Sequence, residues 1–333
     1  MKNKLSFILL FAALFGSAAA AEETGTAIKY GGYLAGEFLK GQSQSEFANG
    51  SFKNLQAGFL LSGRLSTSVA FGAEVRSRSG SDFEVEQAWV GYVPSQVFSL
   101  KAGLYLVPFG LWNEASRPHE SLLIGTPLNL EYFYPEGWRD MGVLVEGRIG
   151  FLSYAAYVGN GLKLADADEL KAGQQWSDNN KDKGKGGRLG INFGQEIQAG
   201  VSYYDGKYDD LNLYRLKLEG THFSWATANW ELKAEATKGI IANPAGYDDG
   251  KCEGYAIWTV MKFKMIQPVG SYQRVKYTDP FHGGGIDIER HRWTAGVRCV
   301  FESHLFLKAE YEWNGETPKV KDNVIRIQAA LSF

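Results

Sequence analysis

The feature that most constrains this chain is a period-two alternation of apolar and polar side chains, recurring in segments of about ten residues along most of its length. In Phe98 to Leu106, the residues Phe98, Leu100, Ala102, Leu104 and Leu106 fall on one face and Ser99, Lys101, Gly103 and Tyr105 on the other. In Leu305 to Trp313, Leu305, Leu307, Ala309, Tyr311 and Trp313 oppose Lys308, Glu310 and Glu312. Successive side chains of a strand point to opposite faces, so each segment reads as a strand with one apolar and one polar wall. About ten tilted residues also suffice for a strand to cross a bilayer. Water-soluble β-sandwiches share the alternation, so it does not by itself separate the two environments.

Further strands are predicted over Ala27 to Leu39, Phe52 to Arg64, Ser68 to Arg78, Asp82 to Val93, Asp140 to Arg148 and Gly150 to Asn160. They continue over Gly187 to Phe193, Glu196 to Gly206, Leu211 to Gly220, Trp225 to Lys238, Gly254 to Phe263, Met265 to Tyr277 and Glu289 to Phe301. With a last strand from Ile325, the count is about 16, an even number as a closed bacterial barrel requires. Connectors alternate in length, apart from two external ones, around Ser79 to Ser81 and Lys207 to Asp210, that are also short. Short turns are expected near Leu65, Pro94, Ile149, Gly194, Thr221 to Ser224, Lys264 and Glu302, and long loops at Lys40 to Ser51, Val107 to Arg139, Gly161 to Gly186, Gly239 to Glu253, Thr278 to Ile288 and Asn314 to Asp322. Barrels of the bacterial outer membrane have that parity, with short periplasmic turns and longer external loops.

The two ends fit the same destination. Ile325, Ile327, Ala329 and Leu331 alternate in phase with the final Phe333, and a last strand ending in Phe resembles the recognition signal read by the barrel-assembly machinery. At the other end, Lys2 and Lys4, the apolar run Leu5 to Phe15 and the small residues Ala18 to Ala21 read as a cleaved signal peptide over 1–21, leaving 22–333 as a single barrel domain. No later stretch approaches 18 uninterrupted apolar residues, so a helical membrane protein is excluded, and the mean hydropathy of −0.24 is what a strand wall diluted by polar neighbours produces. Loss of Lys2 and Lys4 moves the net charge from −2 to about −4, which argues against nucleic acid as a partner. Cys252 and Cys299 are expected to stay unpaired, on strands that are not neighbours.

Motifs for covalent chemistry or cofactor binding are missing: no nucleophile elbow, phosphate loop, His-Glu-x-x-His pair or haem-attachment site occurs, so no cofactor, no catalytic residue and no metal site is expected. The histidines His119, His222, His282, His291 and His304 lack ligand spacing. Ser116 or Ser121 with His119 and Glu120 is the best hydrolase constellation, but adjacent residues seldom converge into a nucleophile, base and orienting group. The acids Asp166, Asp168, Glu169, Asp178 and Asp182 lack the spacing of a calcium loop and read as a solvated external segment.

The longest loop, Val107 to Arg139, carries the functional expectation. With Leu111, Trp112, Leu122, Leu123, Ile124, Leu128, Leu130, Tyr132, Phe133 and Tyr134 it is too apolar to be solvated. Folded inward after the fifth strand it narrows a pore; packed outward it meets a neighbouring subunit. In the inward case Glu114, Arg117, His119, Glu120 and Arg139 form the constriction, with Arg117 and Arg139 opposing Glu114 and Glu120 in a transverse field. Strand parity makes Lys101, Tyr105, Arg215, Lys217, Lys233, Arg298, Lys308, Glu310 and Arg326 pore-lining. Carboxylates such as Glu74, Glu84, Glu86, Glu146, Glu219, Glu231, Glu235 and Glu312 interleave with these cations, so weak charge selectivity is expected.

The blocks Gly103 to Gly110, Glu120, Thr126, Arg139 to Val143 and Tyr154 to Gly161 resemble the phosphate-selective porin O and P family of bacterial outer-membrane porins. The resemblance implies a trimeric 16-stranded porin whose third external long loop folds inside, with Pro108, Phe109 and Gly110 turning the loop, Arg139 and Asp140 forming a buried pair at its return, and Asn160 in the same motif. Phosphate selectivity is not implied, because interleaved acids stand where that family has a basic ladder. The reading is thus an all-β transmembrane antiparallel barrel of about 16 strands in the Gram-negative outer membrane. It is expected to be a homotrimer among lipid and lipopolysaccharide, passing small hydrophilic solutes or ions passively. A barrel scaffold or sheath filled by a periplasmic redox or export partner, and an outer-membrane hydrolase, remain as alternatives.

Overall fold

The computed structural model describes residues 27–77, 82–163, 177–278 and 287–333. The expected signal peptide, His282, Asp166, Asp168, Glu169 and the connector around Ser79 lie outside the described residues. Sixteen strands follow one another around a closed antiparallel barrel in which each pairs with its sequence neighbours and the last with the first. They are β1 (Ala27–Gly41), β2 (Ser51–Arg64), β3 (Val69–Ser77), β4 (Phe83–Tyr92), β5 (Ser99–Leu106), β6 (Arg139–Ile149), β7 (Leu152–Gly159) and β8 (Gly184–Phe193). The second half comprises β9 (Ile197–Lys207), β10 (Arg215–Ala226), β11 (Trp230–Ile241), β12 (Gly250–Met261), β13 (Ile266–Thr278), β14 (Asp287–Phe301), β15 (Leu305–Glu316) and β16 (Val324–Ser332). One short helix, α1 (Leu128–Phe133), interrupts the loop between β5 and β6.

Closure removes the sheet edges that an open sheet of this size would expose. The seam is held by β1 against β16, from Tyr33 opposite Ser332 to Gly41 opposite Val324. Phe333 extends it: its amide donates to the Gly32 carbonyl at 3.0 Å, and its own carbonyl accepts from the Gly32 amide at 2.9 Å. Outside the wall the alternation is apolar: Leu305, Leu307, Trp313, Ile325, Ile327 and Leu331 are all exposed while Phe306, Lys308, Glu310, Glu312, Gln328 and Ala330 between them are buried. Aromatic pairs mark both ends of that apolar band, Tyr272 with Trp293 at 4.3 Å toward the long loops and Trp225 with Trp230 at 4.9 Å beside a short turn. Cys252 lies buried on β12 near the long-loop end and Cys299 on the outward face of β14 near the short-turn end, both free.

Several strands depart from the expected limits, β11 starting at Trp230 and not Trp225 and β12 at Gly250 and not Gly254, and on β10 the shift removes an expected turn. The predicted turn at Thr221 to Ser224 is strand: β10 continues to Ala226, and the chain reverses at residues 227–229, where the Thr227 amide donates to the Trp230 carbonyl at 2.7 Å. The polar run Thr221, His222 and Ser224 suggests a turn but sits within the ladder, in register with Ala236, Glu235 and Lys233 of β11.

Gly103 shows why glycine is required at one strand position. Its φ of +124° lies outside the region that L side chains adopt, and a Cβ there would run into the Ala88 carbonyl oxygen of the neighbouring β4.

Candidate functional site

Residues 107–138, joining β5 to β6, are pinned to the inward side chains of strands all around the barrel. The Glu235 carboxylate of β11 accepts from the amides of Leu111 and Trp112, the latter at 2.6 Å. Glu310 of β15 accepts from the Ile124 amide at 2.9 Å, and Gln273 of β13 from the Leu128 amide at 2.9 Å. The Lys308 ammonium donates to the carbonyls of Pro118 at 2.7 Å and Ser121 at 2.8 Å. Arg188, Arg292 and Arg298 donate to the carbonyls of Gly110, Thr126 and His119. A segment with so little regular structure must find partners for its buried amides and carbonyls, and here the barrel wall supplies them.

Apolar packing accompanies these bonds. Phe109 stands edge-on to Tyr134 at 5.2 Å, Trp138 edge-on to Tyr204 at 5.0 Å, and Trp112 edge-on to Trp258 at 5.6 Å. Leu216 and Leu218 of β10, Ala256 and Val260 of β12 and Val275 of β13 complete one buried cluster with Leu122, Leu123, Leu130 and Phe133. Where these strands meet the loop the inward face is therefore largely apolar, with Gln273 of β13 as a polar anchor among the apolar side chains.

That inversion corrects the sequence reading of Arg215 and Lys217. Both are exposed on the outer wall, as is Glu219, while the leucines between them are fully buried. The reading assigned the apolar phase of β10 to lipid, whereas it belongs to the loop. Tyr105, Lys308 and Glu310 do point inward but are buried, so they do not line open water. Tyr105 donates to the Val158 carbonyl at 3.2 Å, and Lys308 and Glu310 hold the loop. Lys233 points inward and pairs with Glu231 at 2.8 Å; Arg326 pairs with Glu312 at 2.8 Å; Arg298 donates to Gln267 and lies over the Phe306 ring.

The constriction residues come together differently from the expected opposition. Arg117 bonds Glu74 of β3 at 2.7 Å and Glu120 of its own loop at 3.0 Å. Glu114 pairs with Arg188 of β8, and Arg139 with Glu86 at 2.6 Å and Glu84 at 2.9 Å. Arg117, Glu114 and Arg139 are met by strand partners and Glu120 by Arg117 itself, so the arginines do not confront the carboxylates across a gap. His119 lies between Tyr33, at 5.3 Å between rings, and Phe306, at 6.5 Å. Burial there holds its imidazole below the usual histidine range, against the pull of Glu120.

The motif residues are structural. Gly110, at φ +66°, turns the loop where its amide donates to Ser202 Oγ at 3.2 Å, between buried Pro108 and Phe109 and the wall. Arg139 and Asp140 are both buried but do not pair with each other. Asp140 instead accepts from the backbone amides of Met141, Asn160 and Gly161 at 2.8, 2.9 and 2.9 Å, tying β6 to the start of the next loop. Ser121 is committed to the Leu123 carbonyl at 2.8 Å and to Lys308, which leaves its hydroxyl unavailable to His119. Among the described residues no cluster of three His, Cys, Asp or Glu side chains could hold a metal ion.

Two cavities flank the loop. One of about 810 Å³ opens in the short-turn half and is lined by Lys29, Arg64, Lys101, Arg148 and Arg188 with the single carboxylate Glu146. The other, about 540 Å³, lies between the loop residues Ile124, Glu131 and Glu136 and the wall residues Glu37, Arg76 and Arg326. Along β1 and β3, Tyr33 and Glu74 fall between the linings of the two.

The fold recurs in outer-membrane barrel proteins of known structure. OmpF of Salmonella typhi, solved in complex with daunomycin, superposes with a TM-score of 0.70 at 14% identity over 93% of this chain and 98% of that one. The anion-selective porin of Comamonas acidovorans gives 0.67 at 12% identity, covering 92% of this chain and 100% of its own. A trimer form of OmpT, an outer membrane protein of Vibrio cholerae, gives 0.67 at 12% identity, over 92% and 99%. In sequence, a protein of Aquifex aeolicus (strain VF5) described only as uncharacterized is 24% identical over 251 residues, 69% of this chain and 55% of that protein. The chain thus spans about half the length of the curated relative it matches. No protein-family profile matches the chain.

Proposed function

We propose that the protein is an outer-membrane porin, a passive channel for small hydrophilic solutes and ions. The observation that carries this is the pair of polar cavities above and below the inward segment, set in a closed barrel with an apolar outer wall. The path follows β1 to β8, the side where inward positions carry charges, and avoids the apolar contact of the loop with β10, β12 and β13. In the larger cavity Lys101 pairs with Glu146 and Arg188 with Glu114, leaving Lys29, Arg64 and Arg148 as an excess of cations that concentrates anions, while three carboxylates against Arg76 and Arg326 make the other mouth weakly acidic. The net result is weak selectivity with an anion bias, and no phosphate specificity of the kind found in the O and P porins. No cofactor enters this mechanism. The protein is proposed to sit in the outer membrane as a homotrimer, delivered by the barrel-assembly machinery.

Influx of sugars of increasing size into proteoliposomes tests this reading. Rates falling steeply with solute size are expected; vesicles impermeable to the smallest sugar contradict it.

A second reading, a barrel closed by its own loop and acting as a scaffold, is favoured by one observation. Inward side chains along the proposed path, Tyr33, Glu74, Arg76 and Glu86 among them, are almost wholly buried.

A further inference from the structure

We propose that the outer wall of β10 to β13, near the long-loop end, binds the phosphate groups of a phosphorylated glycolipid of the surrounding leaflet. This rests on the membrane-embedded reading but not on the channel being open.

Glu219 of β10 stands opposite Lys238 of β11, Lys238 opposite Glu253 of β12, Glu253 opposite Lys276 of β13, and Lys276 opposite Glu289 of β14. All five are exposed, and all lie on the outward phase, between buried inward neighbours or next to the rim. One row nearer the rim, Lys217 faces Ile240 and Lys251 faces Thr278. Lys217, Lys238, Lys251 and Lys276 with Glu219 and Glu253 line a groove of about 390 Å³. Among the described residues none of the four ammonium groups has an ion-pair partner within 4.0 Å, although two carboxylates stand in register beside them. Neighbouring surface arginines are held in pairs, Arg274 with Glu289 at 2.6 Å and Arg215 with Asp205 at 3.3 Å, so the four lysines are the cations of this face left open to a ligand.

Depth and continuity select the occupant. Two and four residues further toward the short turns, the same outward phase carries Tyr255, Ile257, Tyr272 and Trp293, with Tyr255 and Tyr272 at 5.9 Å and Tyr272 and Trp293 at 4.3 Å. Aromatic rings of a membrane barrel sit at the headgroup boundary, so the lysines just beyond them stand at the level of lipid phosphates. Their long stems let the ammonium groups reach outward from the wall. A free phosphate has no use for the adjoining apolar wall, whereas a phosphorylated lipid places its head on the lysines and its chains along Tyr255, Ile257 and Tyr272. A second copy of the patch would bring four unpaired lysines against four more.

Native mass spectrometry of the full chain in detergent, with diphosphoryl lipid A, monophosphoryl lipid A and phosphatidylglycerol as probes, tests the assignment. Diphosphoryl lipid A is expected to bind best, and K217Q/K238Q/K251Q/K276Q to weaken it at least about tenfold, since each lysine near a lipid surface adds a comparable electrostatic increment. E219Q/E253Q should strengthen it by removing repulsion of the phosphates. Unchanged lipid A binding by a folded, heat-modifiable quadruple variant overturns the proposal. So does weaker binding by E219Q/E253Q, or an oligomer that dissociates when the lysines are removed. A chain that shows no heat-modifiable barrel in detergent overturns the membrane reading as well, and is thereby distinguished from those outcomes.

Discussion

The Arg117 guanidinium and the Glu74 carboxylate meet in a forked pair, Nη2 to Oε2 at 2.7 Å and Nε to Oε1 at 3.1 Å, that ties the inward loop to β3. Glu74 is 1% exposed and also accepts from Tyr33 Oη at 3.2 Å and Gln87 Nε2 at 3.1 Å. The pair lies between the two cavities, so it is a structural tie that the proposed path must pass.

Removing one partner strands the other. R117A is expected to lower stability by about 3–5 kcal/mol, the usual cost of leaving a buried charge uncompensated, and to raise single-channel conductance. The double variant R117A/E74Q should recover much of that stability while keeping the higher conductance. Urea unfolding and planar-bilayer recording of the three proteins check both statements.

Glu235 is the anchor on the opposite wall. E235A leaves the amides of Leu111 and Trp112 buried without an acceptor, a loss of about 2–4 kcal/mol for the two donors. Because the strand ladder is unaffected, the barrel should persist while the loop loosens. Limited chymotrypsin digestion should then cut after Leu111 or Trp112 in the variant and not in the native protein.

His119 provides a pH signature. Burial depresses its folded value below that of the unfolded imidazole, which titrates near pH ~6.5. As pH falls through that value the unfolded chain takes up a proton that the folded chain resists, so stability is lost on acidification and is intact above it. The charged groups facing the ring are Glu120 and Arg117 on its own loop and Glu74 and Lys308 on the wall, and they stay in place in H119Q. The variant should therefore show a shallower fall in stability between pH 7 and pH 5, measured by urea titration at each pH; an unchanged slope contradicts the assignment.

Gly103 tests the backbone argument. G103A forces a side chain into positive φ and against the Ala88 carbonyl, and is expected to cost about 1–3 kcal/mol and to reduce refolding yield. Substitution at Gly36, where a Cβ meets nothing within 4 Å, should leave the yield unchanged.

Much of the fold was legible because strand alternation and connector parity are local signals. The last strand, with Ile325, Ile327 and Leu331 in phase, needed no tertiary information. On β10 the same logic failed, since Leu216 and Leu218 are apolar for a reason located in a loop about a hundred residues earlier: they pack with Phe109, Phe133 and Trp138. The loop's inward course could be inferred from its aromatic content, but its ion-pair partners could not. Arg117 meets Glu74 and Glu114 meets Arg188 across 43 and 74 residues of sequence, where only the barrel's closure decides which charges adjoin. The phosphate-selective resemblance implied a loop turn at Pro108 to Gly110, where Gly110 lies at φ +66°, and a pair between Arg139 and Asp140 where the structure gives each its own partners.

The central claim, an open and weakly anion-biased pore, is tested most directly by single-channel conductance and reversal potential of the refolded chain in a planar bilayer under a salt gradient. Stable conductance steps are predicted, with a reversal potential of the sign for anions that moves toward zero in K101Q/R148Q. Silence from a correctly folded, heat-modifiable barrel would contradict the account and leave the loop-closed scaffold in its place.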